Sequence, residues 1–256
     1  MSNPFEGSKV TASKEELKKF FGHSFVVPKF DEGDRIAVGG ESVFSSDPNI
    51  MIEGDFGRFS SFFAEAHEMA GKYDAQKLRE WLSSQNIEID EKLFAKLFAF
   101  TKKLDQQYPE NPDRSKQRQE LYQEKRDALK LSDIFEANAA ECAEIAALAQ
   151  SFLQEEGVSS SYFSGDALWD KGQEFSEEHS FVIIHDGAKT YIFDPANPTN
   201  TNSGKFPSIY KTEANFEEEM GKKQKKFVTA TNLLSKKQAF YGANDGSNVS
   251  PERDII

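Results

Sequence analysis

Hydrophobic positions recur at helical spacing through the first half of the chain. Phe56, Phe59, Phe62, Phe63 and Ala66 fall on one helical face, and Gly71 closes the run. Asp74 is placed to cap a helix holding Leu78, Trp81 and Leu82. Asp90 is placed to cap another holding Leu93, Phe94, Leu97, Phe98 and Leu104, which Pro109 and Pro112 end. Ser13 with Glu16 fits a capping box ahead of Leu17, Phe20 and Phe21. Residues 28–55, rich in Gly and Pro, read as loop with a short strand at Arg35-Ile36-Ala37-Val38. Residues 114–130 read as a charged amphipathic helix carrying Leu121, Tyr122 and Leu129. The Phe-rich stripes are too wide for solvated faces, so these helices are expected to pack against another layer.

The second half changes period. A helix is expected from Asn138 to Glu156, with Asn138 as N-cap, Glu141 as its reciprocal partner and Gly157 just past the end. Residues 158–178 are Ser- and Gly-rich and read as irregular, with Tyr162, Phe163 and Trp169 exposed or half-buried. Ser180–Ile184 and Lys189–Phe193 flank Asp186-Gly187, the pattern of a β-hairpin on a two-residue turn. Residues 195–208 read as loop, 213–226 as a solvated helix, Phe227–Thr231 as a strand, and the last fifteen or so as a tail. The division expected is a mainly helical region, 1–130, and a core, 131–256.

Composition narrows the class. The chain has 256 residues, enough for a sizeable core, and 23 Phe make that core bulky. Acidic residues outnumber basic ones, 43 to 31, which argues against nucleic acid or an anionic membrane as partner. One cysteine, Cys142, excludes an intrachain disulfide and a cysteine-based zinc finger. No basic segment followed by an apolar stretch opens the chain, and no apolar run reaches the ~20 residues of a membrane helix. The expectation is a protein made in the cytoplasm without a Sec-type signal, with signal-less export into a host left open. No Walker A loop, G-x-G-x-x-G, zincin motif, EF-hand or G-x-S-x-G elbow is present, so no cofactor and no metal are expected.

The candidate chemistry starts at Cys142. In the first turns of its helix it lies in the positive end of the macrodipole, which favours a thiolate. Cys142 also shares an apolar stripe with Ile145, Ala146, Ala149, Phe152 and Leu153, so a plain core position is the alternative. His179 opens one strand of the hairpin and Asp194 closes the other. If Asp186-Gly187 is the turn, counting outward sets His179 directly opposite Asp194, with Cβ atoms about 4.5–5.5 Å apart on one face. A one-residue slip would separate them. A carboxylate beside an imidazole fixes its tautomer and raises its basicity, which is the base-and-orienter half of a nucleophilic triad. His185 is a competing base beside the turn.

Three segments carry a resemblance: Ala140-Glu141-Cys142-Ala143-Glu144, Glu178-His179-Ser180-Phe181-Val182 and Tyr191-Ile192-Phe193-Asp194-Pro195. In their order and spacing, residues 135–200 resemble the transglutaminase-like superfamily of papain-like Cys-His-Asp thiol enzymes. The family often has Gly and an aromatic beside the cysteine; here Glu141 and Ala143 stand there. The resemblance implies an α+β fold, with a papain/transglutaminase-like core of a Cys-bearing helix on an antiparallel sheet. It implies no cofactor, and Cys142 as nucleophile, His179 as base and Asp194 as orienter, acting through a thioester on a protein or peptide. Deamidation or transamidation of protein glutamine, and peptide cleavage, are its outcomes. A non-catalytic protein-binding module with a vestigial thiol site, and a helix-driven scaffold, are the alternatives of other classes.

Overall fold

The structure, a computed structural model, describes residues 25–37, 51–125, 129–169, 177–187, 189–212, 216 and 227–242. Short strands β1 (Phe25–Val27), β2 (Arg35–Ala37) and β3 (Met51–Glu53) come first. A 3-10 turn at Phe56–Phe59 runs into α1 (Ser60–Gly71), followed by α2 (Ala75–Ser84), α3 (Glu91–Gln107), α4 (Arg114–Lys125), α5 (Leu131–Glu136) and α6 (Cys142–Glu155). Strands β4 (Ser160–Leu168), β5 (Glu177–Asp186), β6 (Lys189–Thr201), β7 (Gly204–Thr212), β8 (Phe227–Asn232) and β9 (Gln238–Gly242) complete the described chain. The caps expected of Asp74 and Asp90 form. Asp74 accepts the N–H groups of Gln76 and Lys77 at 3.0 and 3.1 Å, and Asp90 that of Leu93 at 2.9 Å.

The six strands β4 to β9 pair antiparallel in sequence order, and β9 returns to pair with β4. The sheet thereby closes into a six-stranded barrel. Strand β4 makes the closure by splitting one of its edges. Tyr162–Ser164 pairs with β1 and Asp166–Leu168 with β9, while β5 runs along the other edge. Between the two halves lies Gly165, where a Cβ would stand 2.2 Å from the Gly242 carbonyl oxygen. Only a residue without a side chain lets β9 approach that closely.

This corrects the expected fold class. The papain/transglutaminase-like core, a helix on an antiparallel sheet, gives way to a closed barrel with helices against its wall. The reason is that β4 and β9 carry no readable alternation. All nine residues of β4 are buried, because one face lines the barrel and the other meets the helices.

Two cores follow from the pleat. Phe163, Phe181, Ile183, Ile192, Tyr210, Ala230 and Tyr241 point inward and fill the barrel with Phe216. Tyr162, Val182, Ile184, Tyr191, Phe193 and Ile209 point outward and join Phe62, Phe63, Phe100 and Phe152 of the helices. One apolar cluster therefore runs from the helical region into the barrel wall. Helix α6 packs on β4, β5 and β6 through fully buried Ala143, Ala146, Ala147 and Ala149, whose small side chains allow close approach. Gly157, at φ 69°, ends it as expected.

Other expectations shift. Helix α6 starts at Cys142, not Asn138; Asn138 takes a left-handed φ of 51°, and its side chain donates to the Pro109 carbonyl oxygen at 2.9 Å. The helix expected over 114–130 is described as α4 to Lys125, Leu129 and Lys130 lie outside any helix, and α5 is a separate short helix. The stretch 195–208 is no loop: β6 continues to Thr201 and turns straight into β7. Trp169 is half-buried, but Tyr162 and Phe163 are wholly buried. Gln238–Gly242, just ahead of the expected tail, forms β9. The box at Ser13 and Glu16 lies outside the described residues, as does the 213–226 helix apart from the buried Phe216.

Candidate functional site

Cys142 is the first residue of α6. Its helix end is shaped by Glu144, whose Oε2 accepts the N–H of Glu141, the residue before Cys142, at 3.0 Å. Reciprocal capping therefore occurs three residues later than the sequence suggested, and it sets the thiol at the very terminus of the helix. Cys142 is partly exposed.

His179 and Asp194 reach the site from β5 and β6. The hairpin register differs from expectation: Asp186 faces Lys189 and Val182 faces Phe193, so the chain reverses between Asp186 and Lys189, with Gly187 at φ 61°. Continued along β6, this register makes His179 and Asp194 diagonal rather than opposite. The displacement is an even number of positions, so both keep the same face. That face is the barrel interior, since Phe181 and Ile192 share it. His179 Nε2 lies 3.0 Å from Asp194 Oδ2, with both side chains almost wholly buried.

The same imidazole ring is within electrostatic reach of the Cys142 side chain. Burial disfavours charge on His179, yet the adjoining Asp194 carboxylate, with its hydrogen bond, and Cys142 outweigh it and push its pKa up to about 10. Burial likewise disfavours the Asp194 carboxylate, but His179 and the donors around it hold its pKa below the usual carboxylate range. The edge of Trp169 meets the His179 ring, with centroids 5.2 Å apart. The three residues singled out in the sequence thus converge. His185 does not join them; it lies six residues along β5, about 20 Å at the rise of a strand.

Two groups holding Asp194 were not anticipated. Asn197 donates its backbone N–H to Oδ1 at 3.3 Å and its side-chain amide to Oδ2 at 3.2 Å, with His179 Nε2 3.5 Å away. It can do so because the pairing of β6 with β7 is irregular between Asp194 and Thr199, turning Asn197 back on the carboxylate. An Asp followed three residues on by Asn is a spacing that could have signalled this turn. Tyr241 of β9 donates to Oδ2 at 3.2 Å, and burial with the nearby carboxylate raises its own pKa well above that of a free phenol, so it remains a donor. Nothing local in the sequence marks Tyr241, whose place depends on barrel closure.

Beneath the start of α6, the fully buried Tyr162 shares a 2.9 Å hydrogen bond with Ser180. Beside it, the buried guanidinium of Arg118 on α4 grips both carboxylate oxygens of Glu144 at 2.6 Å. Among the described residues, no group of three or more His, Cys, Asp and Glu is arranged to hold a metal ion, and no helix is long and apolar enough to cross a membrane. No protein-family model, no curated protein and no solved structure matches this chain.

Proposed function

We propose that this protein is a thiol-dependent amide hydrolase or acyltransferase. Its substrate is protein glutamine, which it deamidates or joins to an amine through a thioester intermediate. The observation that carries this reading is a single buried imidazole between a partly exposed thiol at a helix terminus and a buried carboxylate. Triads of this kind work on unrelated scaffolds, so the reading rests on the site and not on the barrel.

In the proposed cycle, His179 takes the proton of the Cys142 thiol and becomes an imidazolium. The sulfur attacks the amide carbon. The oxyanion that forms is met by backbone N–H groups at the start of α6, which have no partner within the helix. The imidazolium returns its proton to the nitrogen, the C–N bond breaks, and ammonia leaves a thioester. Water or an amine then attacks that carbon, His179 takes its proton, and the C–S bond breaks to free the thiol. Asp194 keeps the ring turned toward the sulfur and balances its positive charge.

Candidate protein substrates with a primary amine, followed by intact-mass analysis, test the outcome. A mass change equal to amide-to-acid exchange means deamidation. Addition of the amine with loss of ammonia means transamidation, and fragments mean that the same groups cut peptide bonds. Iodoacetamide labelling tests the site itself. Cys142 is expected to react at about pH 6 far faster than a free thiol. A rate that climbs only near the ordinary thiol value of about 8.5 would return the site to the reading of a non-catalytic binding module.

A further inference from the structure

Two carboxylates stand next to the nucleophile in sequence and space. Glu141 precedes Cys142 and Glu144 follows it within the same helical turn. Negative charge that close opposes a thiolate, and it works against both the helix terminus and the imidazolium of His179. A nucleophilic thiol at this position needs those charges offset.

Arg118 offsets one of the two from outside the helix. It sits on α4 with only 1% of its side chain exposed, and Glu144 is fully buried. Both guanidinium Nη atoms bond Glu144 at 2.6 Å, Nη1 also reaches the Ala139 carbonyl oxygen at 3.4 Å, and Nε lies 3.7 Å from Glu141 Oε2. One guanidinium therefore holds residues on both sides of Cys142. Its planar fork matches a carboxylate in a way an ammonium does not, and its charge does not vary with pH. The Tyr122 ring lies beneath it, 5.6 Å away.

We infer that Arg118 is a positioning residue for the nucleophile: it fixes the start of α6 against α4 and cancels the carboxylate charge that would otherwise suppress the Cys142 thiolate. This rests on the thiol-enzyme reading above. It also assigns the helical region a part in the chemistry, as the source of the counter-charge. The charged and titratable groups around the start of α6 are Glu141 and Glu144 on the helix itself, Arg118 with Tyr122 on α4, Tyr162 on β4, and His179 on β5 with Asp194 behind it.

The test uses the sign of two opposite changes. In Arg118→Gln the charge of Glu144 is uncompensated. Iodoacetamide labelling of the full chain is then expected to slow at least about tenfold at about pH 6 and its midpoint to move to higher pH. In Glu144→Gln, a near-isosteric change, the guanidinium keeps only Glu141 opposite it and the midpoint is expected to move to lower pH. The double variant restores neutrality, and its profile returns toward that of the wild type. A merely structural role moves both single variants the same way, toward a slower thiol. Equal profiles for wild type and Arg118→Gln, or a Glu144→Gln midpoint that fails to fall, overturn the inference. If Arg118→Gln does not fold, the direction of the Glu144→Gln shift decides. A wild-type thiol with no enhanced labelling sinks the thiol-enzyme reading instead, so the two failures are distinguishable.

Discussion

Arg118–Glu144 and His179–Asp194 are both buried ion pairs, one joining α4 to α6 and the other crossing from β5 to β6. They differ in what can change. The first is two parallel 2.6 Å hydrogen bonds between a permanent cation and a carboxylate with no exposed surface. The second is one 3.0 Å contact from a ring that also feels a nearby thiol, with Asn197 and Tyr241 steadying the carboxylate. A rigid pair with no proton to exchange suits a frame. A pair in which one partner titrates suits proton transfer. Within one small volume the molecule separates holding from reacting and assigns each to a different kind of cation.

The largest effect that sharpens this contrast is on turnover. Cys142→Ala and His179→Ala are each expected to lower ammonia release from substrate by at least about 10³-fold while the fold persists. Full turnover in Cys142→Ala would remove the nucleophile from the scheme. Next comes stability. Glu144→Ala strands a buried guanidinium and is expected to cost about 3–5 kcal/mol in urea unfolding, whereas Arg118→Met with Glu144→Met exceeds the stability of either single change. If the double variant is the least stable of the three, the frame is held by specific hydrogen bonding and not by charge balance.

The titrating pair should show its difference through pH. His179 has a folded-state pKa raised to about 10, so its contribution is complete below its unfolded value of about 6.5 and is lost as pH climbs through about 10. Asp194 is shifted the other way, so its contribution is complete above about 3.9 and is lost only as pH falls through its lowered folded value. The thermal-stability gap between wild type and Asp194→Asn is therefore expected to be widest from about pH 4 to 6.5, about 3 kcal/mol, and to narrow toward pH 10. A gap that grows with alkalinity would reverse the assigned charges. The smallest effect is that of Tyr241→Phe, which removes one donor to a charged acceptor and should cost about 1–2 kcal/mol.

The site was more legible in the sequence than the fold. Cys142, His179 and Asp194 were each readable because local rules bear on them: an N-cap with its reciprocal glutamate at a helix start, and two apolar runs around a turn. Even a misplaced turn left His179 and Asp194 on one face, because the error was two positions and strand faces alternate with a period of two. The barrel was illegible because its closure is a contact between Asp166–Leu168 and Phe240–Gly242, far apart in sequence, through strands without a polar face. The same holds for Arg118. On α4 it looks like one more charge on a solvated helix, and only the packing of α4 against the start of α6 reveals it as buried.

Strand β9 is the last described stretch to be synthesised, and it carries the hydroxyl that steadies Asp194. A chain still emerging from the ribosome already has its sulfur and its imidazole, but the carboxylate between β6 and the barrel mouth lacks one of its tethers until residue 241 has been added. Completion of the wall and of the acid's anchoring is thereby tied to the synthesis of β9, and a product cut short before Gln238 would have neither a seamless wall nor a fully anchored acid.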